Sequence, residues 1–262
     1  GLLAVWGAAR WQWIVLLWAA PPVAGAVLFC RVPLARKNGG APPLPLRALA
    51  RKGVFYALLA AIVLGGAAEV TMAQWASAFL EKGLQLPKLA GDVWGVCFFS
   101  LMLALGRSGY AALGARVPLH RLLIGGSGAA AVLYVVCALA QSPLLGVLDC
   151  GLTGLCVSLL WPGAIILASR RIPSAGAAMF ALLSAGGDVG ASLGAFCVGR
   201  AADWAQASGT VFAGAAGESG ALRAGLLLAA VFPLLCCGVH TALHCTEARG
   251  GLPAGSERRH RQ

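Results

Sequence analysis

The sequence predicts an all-α membrane protein with seven transmembrane helices, and three observations carry that expectation. Hydrophobic residues fill 59% of the 262 positions and charged residues only 11%, against about 45–50% and about 25% in a soluble domain. Mean hydropathy is +0.81. The apolar residues fall into long runs, and the basic residues gather on alternate connections between them, as on the cytoplasmic side of multi-pass proteins. The 36 glycines fit the same class, since glycine lets membrane helices approach closely.

The first span is expected from about Trp11 to Cys30, with Trp6, Trp11 and Trp13 as an interfacial aromatic belt at its start. Arg31–Lys52 follows; its four prolines and six basic residues predict a water-exposed, partly extended linker. The second span, Gly53–Leu80, has 28 residues and one carboxylate, Glu69. As a helix it would reach about 42 Å, more than the roughly 30 Å hydrocarbon core. A third span is expected from about Val93 to Leu105, and the segment GRSGYAALGARVPLHR then turns into a fourth, about Leu122–Ala140. Gln141-Ser142-Pro143 makes the tightest connection. The fifth span, about Leu144–Ser169, carries Asp149 near its start and Trp161-Pro162-Gly163 inside it, where the proline should kink the helix and free carbonyls. The sixth, about Ala175–Val198, holds Asp188; a polar loop from Arg200 to Gly220 leads to the seventh, about Leu222–His244. The tail from Cys245 to Gln262 is polar and basic, the composition of a disordered segment.

Counting basic residues sets the orientation. The linker, the Arg107–Arg121 connection, Arg170-Arg171 and the tail hold fifteen of the 20; Arg10, Lys82, Lys88, Arg200 and Arg223 lie on the other side. This bias places the linker and the C-terminus in the cytoplasm. The same bias explains the net charge of +11 without nucleic acid as a partner; the lipid bilayer is the partner instead. The nine cysteines form no CxxC pair and no Cys/His spacing suited to a metal, and Cys97, Cys137, Cys156, Cys197, Cys236 and Cys237 read as small buried hydrophobes. His120, His240, His244 and His260 sit at span ends or in loops with no paired acid, and no GxSxG, HExxH or phosphate-binding loop appears. No catalytic residue, metal or cofactor is expected. The chain opens on Gly1 without a signal peptide, so a missing upstream part is expected.

A carboxylate at mid-membrane costs about 2.5–3.5 kcal/mol, so it normally faces a protein interior or a wet cavity. Glu69 is therefore the leading candidate for proton coupling or substrate binding. Ile62, Gly65, Gly66, Met72, Ala73 and Ala76 share its helix face, which must be either tightly packed or open to a ligand. Asp188 is second: Ser184, Asp188 and Ser192 form a polar stripe beside a Gly186, Gly190, Gly194 seam of the kind that packs helices closely. Asp149, with Thr153 on its face, is expected near the outer interface and partly hydrated. Trp75 and Trp161 offer aromatic walls for an amphipathic ligand, or plain packing.

Three stretches together resemble the second half of the major facilitator superfamily. Gly106-Arg107, then Arg116 and His120-Arg121, resemble its loop between helices eight and nine, although the family places an Asp before the first Arg and Gly106 stands here. Gly151, Gly154 and Pro162, ending in Arg170-Arg171-Ile172-Pro173, resemble its tenth helix. Ala185-Gly186-Gly187-Asp188-Val189-Gly190, running to Arg200-Ala201-Ala202-Asp203, resembles its eleventh. The Glu69 helix with Trp75 is similar to the seventh helix of the fucose-permease-like sugar branch.

The resemblance implies a partial fold: residues 1–30 as the last helix of one half, 31–52 as the cytoplasmic linker, 53–244 as a six-helix half and 245–262 as the tail. It implies a secondary active transporter in the cell membrane, moving a sugar or similar small solute, with protons as the coupling ion and with the missing N-terminal helices needed for a full path. Gly106, Arg107 and Arg116 would be its gating loop, and Asp149, Trp75 and Trp161 would line its passage. A seven-span receptor is the alternative. A retinal protein is not, because the seventh span has no lysine.

Overall fold

The computed structural model describes residues 11–32, 44–114 and 116–249. It divides into two compact units, 1–42 and 43–262, so the division falls inside the expected linker. In the first unit, helix α1 spans Trp11–Arg31, with Pro21 and Pro22 inside it. Its apolar stretch from Val15 to Arg31 falls short of the length expected of a crossing. Trp6 of the expected aromatic belt lies outside the described residues; Trp13 is exposed.

Among its described residues the second unit holds six helical spans long and apolar enough to cross a membrane. Prolines punctuate them, because a fixed φ and a missing N–H suit a helix start. Pro45 precedes the short α2, Leu46–Ala50. Next comes α3, Gly53–Ala78, extended by one π-turn to Gly83. Pro87 precedes α4, Lys88–Gly91, which continues through a π-turn into α5, Phe98–Leu113. Pro118 precedes α6, Leu119–Leu139. Pro143 opens α7, Pro143–Val157, and after a break comes α8, Leu160–Arg171. Helix α9 runs over Gly176–Ala207, and the last span is α10, Gly217–Ala229, with α11, Val231–Arg249. Among the described residues there is no strand, only an isolated bridge between Phe212 and Ala215.

Helix α3 is the centre of the bundle and packs on α9, α8 and α11. Its contact with α9 is glycine against backbone. A Cβ on Gly190 would collide with the Val63 carbonyl, and one on Gly66 would reach the Gly187 carbonyl at 2.5 Å. Around that seam, α5 lies on α7, and α6 bridges α7, α10 and α11. Tyr134 of α6 is fully buried and donates to the Ala68 carbonyl of α3 at 2.7 Å, satisfying its only buried polar atom.

Five expectations need correction. The third span runs from Lys88 to Leu113 rather than Val93 to Leu105, so Gly106 and Arg107 lie inside a helix; only Arg116 is in the connection. Ser108 is exposed, Arg107 finds its partners on neighbouring helices, and nothing in GRSGYAAL breaks the hydrogen-bond ladder before Gly114. Likewise α9 continues through Arg200 to Ala207, leaving a loop of 208–216 in place of Arg200–Gly220. The end of the linker is docked, not free: Leu49 is 1% exposed and the Leu44 N–H donates to the Ser174 carbonyl at 2.9 Å. Residues 33–43 lie outside the described part. The tail is helical to Arg249, and its remainder, 250–262, also lies outside it. Finally, Cys97 is exposed rather than buried, because the π-turn at Asp92–Cys97 presents it outward.

Candidate functional site

Glu69 sits near the middle of the 31-residue α3 span with its side chain 13% exposed. Its face is packed rather than open: Ile62, Gly65, Gly66, Met72 and Ala76 are buried. One oxygen, Oε1, accepts from Nη2 of Arg107 on α5 at 2.7 Å. The other, Oε2, is buried and has no hydrogen-bond partner among the described residues. Arg107 keeps 42% of its side chain exposed. Two residues flagged separately in the sequence, one as a coupling acid and one as part of a loop, thus form a single ion pair.

The broken span between α7 and α8 completes the site. A proline at position 162 cannot donate to the carbonyl four residues earlier, and its ring would clash there. That carbonyl belongs to Ser158, in the break, and it accepts instead from Nε of Arg107 at 3.1 Å. Pro162 thereby does open the fifth span, and the freed acceptor is used at once. Gly106 explains how α5 comes close enough: a Cβ there would collide with the Ser158 side chain. Ser158 Oγ donates to the Leu155 carbonyl at 2.7 Å, sealing the end of α7. The guanidinium therefore bridges a carboxylate on α3 and a helix-break carbonyl between α7 and α8. Its planar fork suits two acceptors at once, as a lysine would not.

This arrangement is half satisfied on both sides. The carboxylate retains one oxygen able to accept a proton or a ligand hydroxyl, and the guanidinium retains exposed N–H donors. An unpaired charge in this setting is costly, and the pairing offsets much of that cost.

The remaining candidates are placed apart from the pair or around it. Asp149 is not partly hydrated as expected: it is 2% exposed on α7, and neither oxygen has a hydrogen-bond partner among the described residues. Its helix neighbour Thr153 is fully buried and equally unpartnered. The reason is that α7, flanked by α5 and α6, belongs to the most enclosed span, 56% buried against 17% for the α5 span. Asp188 is exposed on α9, and its carboxylate forms no ion pair among the described residues. Trp75 donates its indole N–H to the Ala195 carbonyl of α9 at 3.1 Å, and Trp161 lies over Gly187, where a Cβ would come within 2.7 Å of the ring. Both rings are half-buried against α9. Arg116 is exposed in the turn between α5 and α6.

Sequence reasoning missed three residues. Ser158 contributes a backbone atom, which only the position of Pro162 could have signalled. Arg223, 4% exposed, donates to the Ala138, Ala140 and Gly83 carbonyls and lies 5.7 Å over the Phe79 ring. It caps the C-terminal ends of α6 and the α3 span, where a cation is favoured. His240 is 2% exposed in α11, with neither ring nitrogen partnered among the described residues, and the His120 and His244 rings stack with centroids 3.9 Å apart. Among the described residues no three His, Cys, Asp or Glu side chains are grouped to hold a metal. No family model, no curated protein and no solved structure matches the chain.

Proposed function

We propose that the chain forms the C-terminal half of a secondary active transporter of the major facilitator type, moving a sugar or similar small polar solute by alternating access with protons as the driving ion. The observation that carries the proposal is the Glu69–Arg107 pair, held at 2.7 Å between two apolar spans with one carboxylate oxygen left over. Protonating Glu69 removes the charge that Arg107 balances, and the guanidinium then depends on the Ser158 carbonyl and its exposed side. The α3–α5 contact loosens as a result, and a change in access follows. A solute hydroxyl competes for the same free oxygen, which couples solute to proton.

Asp188 supports the need for a second bundle. It is exposed on α9 among Val189, Leu193 and Phe196, which are 54%, 52% and 63% exposed. A carboxylate on such a face would meet hydrocarbon unless another protein element covered it. In the proposal that element is the other half of the transporter. Trp75 and Trp161, half-buried, line the passage between the halves, and Arg116 belongs to the gating connection; Asp149, 2% exposed, does not reach it. The protein lies in the cell membrane with its C-terminus in the cytoplasm.

The test is uptake of a panel of neutral sugars into vesicles bearing the transporter with both halves, driven by a pH gradient. Glu69→Gln should cut uphill accumulation at least about tenfold while sparing solute exchange at equal pH. Undiminished proton-driven accumulation by Glu69→Gln would overturn the proposal.

A further inference from the structure

A groove of about 450 Å³ runs along the outside of the bundle between α5, α6 and α7. Its walls are mostly leucine and glycine, and Leu105, Leu113 and Leu155 are 55%, 53% and 40% exposed, so it opens sideways. Its glycines divide into two kinds. Gly106 and Gly126 press on Ser158 and Cys156 of the α7 side and set the helix spacing. Gly109 and Gly125 meet nothing within 4 Å, so their missing side chains leave empty volume rather than close contact.

One end of the groove is basic. Arg121 lines it, and Arg116 lies in the adjoining turn; both are exposed and neither forms an ion pair among the described residues. The sequence offers them no local acid, since no Asp or Glu occurs between Asp92 and Asp149. A long apolar trough open to the hydrocarbon and ending at two unpaired guanidinium groups is complementary to a molecule with an acyl chain and an anionic head. Basic pockets between membrane helices bind anionic lipid headgroups on this principle.

We propose that this groove binds an anionic phospholipid, one acyl chain lying over Gly109 and Gly125 and the phosphate held by Arg116 and Arg121. The inference depends on membrane insertion and not on transport. The site also touches the ion pair: Ser158 lines the groove while its carbonyl holds Arg107, so the lipid packs against the same helix break.

The experiment is native mass spectrometry of the purified chain in detergent, titrated with phosphatidylglycerol or phosphatidylcholine. Surface arginines contribute about fivefold each, so the unmodified chain should bind phosphatidylglycerol about 25-fold more tightly. Arg116→Gln/Arg121→Gln should bind the two lipids equally. Gly109→Leu/Gly125→Leu, which starts each new side chain from a Cβ in open space and favours helix, should stay folded and lose tight binding of both. Equal binding of the two lipids to the unmodified chain would overturn the inference, as would a preference that survives the arginine changes or binding that survives the leucines.

Discussion

Arg107 serves two acceptors that belong to different helices, and that double role is what makes it a site residue. Glu69 was legible in the sequence because a lone carboxylate in an apolar run is costly enough to stand out. Its partner was not, since Gly106-Arg107 reads as a turn until the helix is seen to run on to Leu113. Asp149 was visible too, but its surroundings were not: closeness to a span end suggested hydration, and only the packing of α5 and α6 over α7 decides otherwise. Arg223 shows the same limit from the other direction. It read as one more loop-side cation, whereas its guanidinium reaches three carbonyls at two helix ends. Replacing it with leucine leaves the buried Ala138 and Ala140 carbonyls without that donor, at about 1–3 kcal/mol each, while the Gly83 carbonyl keeps Ser219. Arg223→Leu should therefore destabilise the chain by about 3 kcal/mol, and Arg223→Lys by less, because an ammonium group still donates to one helix end although it cannot fork across both. Thermal unfolding in detergent checks this; equal stabilities for all three proteins would refute the capping role.

At the scale of helices, the long apolar runs made the six spans of the second unit visible, while their ends moved and the breaks inside them, that at Pro162 apart, did not show. Both α5 and α9 outran their expected limits because alanine-rich, outward-facing polar turns continue a helix at no packing cost. The small-residue seam on α9 was also legible, though not which glycine mattered most. Gly186 faces the flexible tip of Leu59, which can move aside; Gly190 faces the Val63 backbone, which cannot. Gly190→Val should accordingly cost about 3 kcal/mol, at the upper end of overpacking effects, and Gly186→Val about 1 kcal/mol. Comparing their melting temperatures with the unmodified chain tests this, and the reverse order would mean that the α3–α9 contact is not the rigid one. The α7–α8 break is the clearest case of a sequence signal with a structural outcome, since Pro162 predicts a free carbonyl and Arg107 fills the vacancy.

Across the whole molecule, ionic contacts collect at the two ends of the bundle. At one, Lys82 pairs with Glu218 at 2.5 Å, and Asp92 accepts from Ser77 and Lys88 at 2.6 and 3.0 Å. At the other, Arg171 joins Glu247 at 2.9 Å and the Leu243 carbonyl at 2.7 Å. Lys82–Glu218 and Lys88–Asp92 are exposed and contribute little each, while Arg171, with 12% of its side chain exposed, ties the end of α8 to α11. Glu69–Arg107 lies between the two ends, with neither group in a position to be fully hydrated. Such a pair is poor as a source of stability and well suited to a switch, because one proton changes its balance. Exchanging the two charges tests that directly. Under the proposed function, Glu69→Arg and Arg107→Glu should each abolish proton-driven solute uptake. The double variant should restore a substantial part of it, at least about tenfold above either single change, as expected for closely coupled charges. If the double variant transports no better than the singles, or if either single change leaves uptake intact, the ion pair is not the working element of this protein.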